Sequence, residues 1–225
     1  FGAAWRRLTD VGSKTNITIN SDLLRLALYC FASRLALTSV YCFTNKTSVM
    51  GKQPTLQPLH QLNILSFSGI QMRTFHITWM TFFVCFFGWF GIAPLMPAIR
   101  ADLGLTKPQV GNTIIAAVSA TIFARLIIGK LCDTWGPRKT YTALLILGSL
   151  PVMLVGLAHD YTTFLLFLLA IGVIGASFVI TQFHPSVMFA PNIKGTVNAV
   201  AGGWGNLGGG IMQLAVQLIM LVIIG

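Results

Sequence analysis

The chain has 225 residues, of which 55% are hydrophobic and only 9% are charged, and its formal net charge is +10. This composition excludes an ordinary soluble domain and is typical of a protein that crosses a lipid bilayer several times. The positive charge does not indicate a nucleic-acid partner, because the basic residues lie in the N-terminal stretch and in short gaps between apolar runs. That placement fits the positive-inside rule of membrane proteins.

Residues 1–72 differ in kind from the rest and are predicted to form a basic cytoplasmic segment ahead of a helical bundle at 73–225. An apolar stretch near 23–43, interrupted by Arg25 and Arg34, predicts an interfacial amphipathic helix or a transit-like segment. Alternatively, residues 1–49 are upstream sequence read in frame and Met50 is the natural start.

Five apolar segments follow, each near the length of about 20 residues that a helix needs to cross the hydrocarbon core. The connection at 129–139 and the one near Lys194 are basic, whereas those near Asp102 and Asp160 carry less positive charge. The N-terminus and the connection at 129–139 are therefore predicted to be cytoplasmic. The five spans are predicted at about 76–98, 110–131, 140–158, 162–186 and 196–224.

Arg125 is the only charged residue well inside the second predicted span. Placing an arginine at that depth costs about 2.5 to 3.5 kcal/mol on insertion scales, so we expect it to face the bundle interior or an aqueous cavity. Its helical column, with Thr113, Thr121 and Asp133, predicts a small and polar face that lines a pathway. The five spans contain no carboxylate to pair with Arg125, so its planar N–H fork is predicted to bind a planar oxyanion.

The fifth predicted span contains the run AGGWGNLGGG at 201–210, which has six glycines in ten residues. Within a membrane, small residues let two helices approach closely. The column through Ala201, Gly205 and Gly209 predicts such a contact face. The neighbouring column contains Asn206, whose amide is costly in hydrocarbon unless a bundle or a ligand satisfies it, so Asn206 is a candidate site residue.

Other function classes find little support in the sequence. The four cysteines have no metal-ligand spacing, and neither a catalytic nucleophile nor a phosphate-binding loop is present. We therefore expect no enzyme activity, no metal and no cofactor. A short membrane protein that pairs with other subunits stays an alternative.

The segment GKLCDTWGPRK at 129–139 resembles the G-x-x-x-D-x-x-G-x-R-[RK] loop between the second and third helices of the major facilitator superfamily. The resemblance implies a latch between the two halves of the fold during alternating access. Glycines permit a tight turn and close helix contact, and Arg138 can hold a carboxylate. The implied latch residues are Gly129, Asp133, Gly136, Arg138 and Lys139.

Within that superfamily the chain resembles the nitrate/nitrite porters, in particular the plant and algal high-affinity nitrate transporters. Three segments carry the resemblance: MRTFH at 72–76, FARL at 123–126 and the glycine run at 201–210. It covers about residues 71–217, which implies an all-α membrane protein with the first five helices of a twelve-helix fold. The implied substrate-binding residues are Arg125, Asn206, Phe178, Gly203 and Gly205, with Phe178 packing against the anion and the two glycines as close-approach positions.

The resemblance also implies import of nitrate, and of nitrite in some members, across the plasma membrane with protons as the coupling ion. Some relatives work with a small membrane accessory protein. Three departures from the family pattern are Gly202, Leu207 and the pair His184-Pro185, and His184 is a weak proton-relay candidate. The alternatives are a porter for another small anion or solute, and a truncated fragment that does not transport.

Overall fold

The computed structural model describes the backbone of residues 58–224 and the side chains of residues 58–219. The predictions for residues 1–57, including the amphipathic helix near 23–43, lie outside this range. The described part is helical, and its β-structure is confined to an isolated bridge between Leu59 and Phe189. The expected all-α fold class is confirmed.

Within residues 58–224, seven helices and three short 3₁₀ turns follow one another. The helices are α1 (Ile70–Phe90), α2 (Met96–Asp102), α3 (Lys107–Trp135), α4 (Pro137–Leu154), α5 (Tyr161–Gly172), α6 (Ser177–Met188) and α7 (Lys194–Ile224). Two pairs of helices each form one rod, because a 3₁₀ turn at Ala93–Leu95 lies between α1 and α2 and another at Val173–Ala176 joins α5 to α6. A third 3₁₀ turn at Val155–Leu157 extends α4.

Four of these rods are long and apolar enough to cross a membrane. They agree with the first four predicted spans to within six residues at each end, and they run over Ile70–Asp102, Lys107–Trp135, Pro137–Leu157 and Tyr161–Met188. The fifth predicted span corresponds to α7, whose 31 residues give a length of about 46 Å. This length suffices for a crossing.

The basic connection at 129–139 is not a loop. Helix α3 continues to Trp135 and α4 begins at Pro137, so the turn consists of Gly136 alone. Gly136 has a φ of +83°, a backbone conformation that favours glycine because it has no Cβ. Gly129, Asp133, Arg138 and Lys139 therefore lie on helices, because an α-helix that leaves the bilayer can continue into water with its backbone hydrogen bonds intact.

Glycines allow the closest helix contacts of the bundle. A Cβ at Gly208 of α7 would overlap the backbone carbonyl of Phe83 in α1, and a Cβ at Gly172 of α5 would overlap that of Ala117 in α3. In α7 the predicted contact face is confirmed, because Ala201, Gly205 and Gly209 are all buried. The backbones of α1 and α7 therefore approach as closely as small residues permit.

The segment before α1 is fixed to the turn between α6 and α7. The amide of Leu59 donates to the carbonyl of Met188 at 3.3 Å, and the amide of Ala190 donates to the carbonyl of Leu59 at 3.0 Å. Nε2 of His76 lies 3.1 Å from the carbonyl oxygen of Ser66. These contacts place residues 58–69 at the same end of the bundle as the α6–α7 turn.

Candidate functional site

Arg125 lies on α3 with its guanidinium carbon 5.7 Å from the centre of the Phe178 ring. Its side chain is exposed, whereas Thr113 and Thr121 from the same column are buried. The column turns because residues four apart are rotated by about 40° in a helix of 3.6 residues per turn. In the described bundle Arg125 therefore lies on an exposed face, next to an aromatic ring, and the expectation that it faces the bundle interior or an aqueous cavity stays a prediction.

Phe178 connects three helices at this point. It lies on the first turn of α6 and its ring centre is 5.8 Å from that of Phe82 in α1, with the two planes at 56°. Phe82 is completely buried, and Phe178 is only partly buried. The ring of Phe178 thus has one side against the core and another toward the Arg125 guanidinium.

Two glycines of α7, Gly202 and Gly205, lie next to Phe178 and Phe82. Gly202 and Gly205 are buried. A Cβ at Gly202 would lie 3.3 Å from Nε2 of Gln182 and 3.9 Å from the Phe178 ring, and a Cβ at Gly205 would overlap the Phe82 ring. The absence of side chains at these two positions therefore makes room for the aromatic pair.

Two of the predicted site residues take no part in this packing. Asn206 and Gly203 are exposed, and within residues 58–224 no hydrogen bond joins Asn206 to Arg125. A Cβ at Gly203 would meet nothing within 4 Å. Gly203 is therefore not a close-approach position within this bundle, because it lies on the side of α7 that faces away from α1 and α6. The free amide of Asn206 is open to a ligand.

The chain was compared with protein families, curated proteins and solved structures. Residues 78–225 match the model of the Major Facilitator Superfamily. High-affinity nitrate transporter 2.3 of Oryza sativa subsp. japonica is 43% identical over 156 residues, which are 69% of this chain and 30% of that protein. The chain belongs to the nitrate/nitrite porter family of this superfamily.

Two further relatives extend the family beyond one lineage. High affinity nitrate transporter 2.5 of Arabidopsis thaliana is 39% identical over 71% of this chain and 32% of its own length. Nitrate/nitrite transporter NrtP of Picosynechococcus is 39% identical over 64% of this chain and 27% of its own length. The chain thus spans about a third of the length of these porters, and no solved structure matches it. It is an integral, multi-pass membrane protein.

The superfamily's latch motif takes a compact form in this porter chain. Its Gly136 forms the turn, and the backbone amide of Thr140 donates to the Gly136 carbonyl at 3.2 Å. Asp133 is exposed, and within the described range it forms no ion pair with Arg138. A Cβ at Gly129 would meet nothing within 4 Å, so the expected close helix contact at Gly129 is not present in this bundle. The latch role of the five residues stays a prediction.

The sequence did not single out the other polar and aromatic residues around the candidate site. Nε2 of Gln182 donates to the Asn198 carbonyl at 3.3 Å, and Nδ2 of Asn198 donates to Oγ of Ser186 at 2.9 Å. The one available signal was that Gln182 follows Phe178 by four residues on α6, which places both on one helix face. For Phe82 no signal existed, because the first span contains many phenylalanines without a clear period.

His184 is a buried and hydrogen-bonded residue rather than an open one. It is 6% exposed, and its Nδ1 lies 3.0 Å from Oγ1 of Thr78 on α1. One turn earlier on α6, the hydroxyls of Thr181 and Tyr141 lie 2.8 Å apart. These pairs join α6 to α1 and α4, as interhelical hydrogen bonds do in membrane bundles, so the geometry gives His184 a structural role.

Proposed function

We propose that this chain forms the N-terminal part of a porter that imports nitrate, and also nitrite, across the plasma membrane. The observation that carries the proposal is the Arg125 guanidinium over the Phe178 ring, on a helix face without a carboxylate partner. The printed names of the relatives, which call those proteins nitrate or nitrate/nitrite transporters, support the choice of anion. Because the chain spans about a third of those relatives, transport belongs to the full-length protein.

The chemistry of the site suits a small planar anion. A guanidinium presents parallel N–H donors to two oxygens of one planar oxyanion, which a lysine ammonium cannot do. The Phe178 ring supplies a flat wall beside that fork, and the exposed Asn206 amide supplies a further donor from α7. Gly202 and Gly205 keep α7 close to the two aromatic rings.

The membrane potential opposes the entry of an anion, so the proposed mechanism includes a source of energy for import. Moving a monovalent anion into a negative interior costs about 2.3 kcal/mol per 100 mV. Import against that potential needs either a cotransported positive charge or exchange for another anion. In line with the resemblance, we propose protons as the coupling ion and alternating access as the transport cycle. The residues at 129–139 would then act as the latch between its two end states.

The first test replaces Arg125 by lysine in the protein expressed at full length. Lysine keeps the charge but loses the fork, so one of two charge-assisted hydrogen bonds is lost, at about 1.5 to 3 kcal/mol. We expect the KM of labelled nitrate uptake to rise about 10- to 100-fold. Arg100→Lys is the matched control, because Arg100 binds the Leu105 carbonyl at 3.0 Å and lies outside the site.

Two results would contradict the proposal. Normal nitrate uptake by the Arg125→Lys variant would exclude bidentate recognition by Arg125. Failure of unlabelled nitrate and nitrite to compete with the transported substrate of the unaltered protein would assign the porter to another small anion.

A further inference from the structure

We propose that Gly205 is a positioning residue, which acts on the bound anion through Phe82 and Phe178 rather than by direct contact. This inference rests on the proposed function, since it assigns how a residue of the same site contributes to it. The three residues lie on α7, α1 and α6, and they form a continuous packed path that ends at the guanidinium of Arg125.

The path begins where Gly205 meets Phe82. Gly205 is buried, and Phe82 is completely buried. A Cβ at Gly205 would overlap Cδ1 of Phe82 and would lie 2.7 Å from its Cγ. The Phe82 ring therefore occupies the space that any other side chain at position 205 would need, and the α7 backbone sets the position of this ring.

Phe82 has little room to move away. On one side its ring centre is 4.3 Å from that of Phe86, and on another it is 5.8 Å from that of Phe178. Phe86 is itself buried. Because close-packed interiors transmit displacements, a methyl group at position 205 would push Phe82 toward Phe178, which is the less buried neighbour.

A displacement of the Phe82 ring would affect the bound anion through Phe178. Its ring lies beside the Arg125 guanidinium at 5.7 Å, and it is only partly buried, so it can shift at lower cost than the core rings. A shift would move the flat wall of the anion site and the guanidinium that rests on it. The expected effect is weaker anion binding with an intact bundle.

Neighbouring glycines of α7 provide matched controls. A Cβ at Gly210 would meet nothing within 4 Å, so Gly210→Ala adds the same methyl group without displacing any residue. A Cβ at Gly209 would lie 2.8 Å from the Phe90 ring, and Phe90 has no ring contact with Phe178 within the described residues. Gly209→Ala therefore disturbs the same α1–α7 contact away from the site.

The experiment measures labelled nitrate uptake by the full-length protein, with the amount at the membrane quantified for each variant. We expect Gly205→Ala to raise the nitrate KM about 10-fold, and Gly210→Ala and Gly209→Ala to leave it within about 2-fold. The double variant Gly205→Ala/Phe82→Leu should recover a near-normal KM, because leucine leaves room for the added methyl group.

Each outcome decides the inference. If Gly205→Ala does not reach the membrane, Phe82→Leu alone is the deciding variant, since it withdraws the support of Phe178 and should also raise the KM. A normal KM for Gly205→Ala, or for Phe82→Leu in that case, would overturn the positioning role while leaving the proposed function standing. If the unaltered protein neither transports nor is inhibited by nitrate, the proposed function fails and the inference fails with it.

Discussion

At the scale of single residues, the charge of Arg125 is the feature that most needs an explanation. A guanidinium within a membrane-spanning helix is costly without a partner, and the aspartates of the described residues, Asp102, Asp133 and Asp160, lie at helix ends. The Phe178 ring compensates part of this cost through a cation–π contact. The remaining demand for negative charge is the reason that we propose an anion as the ligand at this position.

The contribution of the Phe178 ring can be measured directly. Replacing Phe178 by leucine removes the cation–π contact, which is worth about 0.5 to 2 kcal/mol depending on how far water is excluded, so nitrate affinity should fall about 2- to 30-fold. Phe123→Leu is the control, because Phe123 also lies close to Arg125 in the sequence but is 68% exposed on the outside of α3. Equal nitrate KM values for the two variants would show that the ring does not take part in binding.

The residue-scale predictions from sequence rest on residue types that are chemically unusual for their surroundings. Arg125 and Asn206 were recognisable because a charge and an amide are rare in apolar helices, and the resemblance paired Arg125 with Phe178, which the structure places beside it. Phe82 was not recognisable, because a phenylalanine in an apolar helix is the ordinary case. Its importance comes from the glycine on another helix, which only the packing of α7 on α1 reveals.

At the scale of helices, one of the two closest backbone junctions of the described bundle is that of α3 with α5. The α5–α6 rod changes to 3₁₀ geometry at Val173–Ala176, which frees carbonyl groups at the end of α5. The Thr121 hydroxyl donates to the Gly172 carbonyl at 2.6 Å across the two helices. The hydroxyl of this one threonine therefore satisfies a carbonyl group at the end of α5 and joins α5 to α3.

This junction predicts a strong effect of one methyl group. A Cβ at Gly172 would overlap the backbone carbonyl of Ala117, which cannot move unless α3 moves, so Gly172→Ala should destabilise the protein by about 1 to 3 kcal/mol. Gly111→Ala on α3 is the control, because a Cβ there meets nothing within 4 Å and alanine favours the helix. The measurement is thermal unfolding of the purified protein in detergent. Similar thermal unfolding midpoints for the Gly172→Ala and Gly111→Ala proteins would contradict the close contact between α5 and α3.

The connection at 129–139 shows where helix-scale prediction failed. Its charges and its two glycines suggested a loop, but the structure contains a single-residue turn at Gly136. Charged residues mark the end of the bilayer rather than the end of a helix, because helical hydrogen bonds persist in water. The positive φ of Gly136 marks the break. The sequence signal that distinguishes Gly136 from Gly129 is Pro137, which follows it directly and begins α4.

At the scale of the whole molecule, apolar length was sufficient to predict the order of the helices. Four rods match four of the predicted spans, and α7 matches the fifth, because in a bilayer every backbone group must be satisfied within a helix. The arrangement of the rods was not predictable in the same way. The arrangement of the rods depends on where glycines such as Gly172 and Gly208 allow two backbones to come into contact. The sequence alone does not identify the residues that these glycines contact.

The order of the rods makes a prediction about sidedness. Two crossings separate residues 58–69 from the Gly136 turn, so both lie at the same end of the bundle, and the bridge from Leu59 to Phe189 places the α6–α7 turn there as well. The basic residues Arg138, Lys139 and Lys194 cluster at this end. By the positive-inside rule it faces the cytoplasm.

A labelling experiment on intact cells tests this orientation. In a background with the native cysteines replaced by alanine, a single cysteine replaces either Lys139 or His159, which are both exposed and lie at opposite ends of α4. A maleimide that cannot cross the membrane should label the His159→Cys protein in intact cells and the Lys139→Cys protein only after permeabilisation. The reverse labelling pattern would show that the whole bundle has the opposite orientation in the membrane. The rods are joined by short connections and cannot be reoriented one at a time. The opposite orientation would also place the Gly136 turn outside the cell and so remove the charge argument for a cytoplasmic latch.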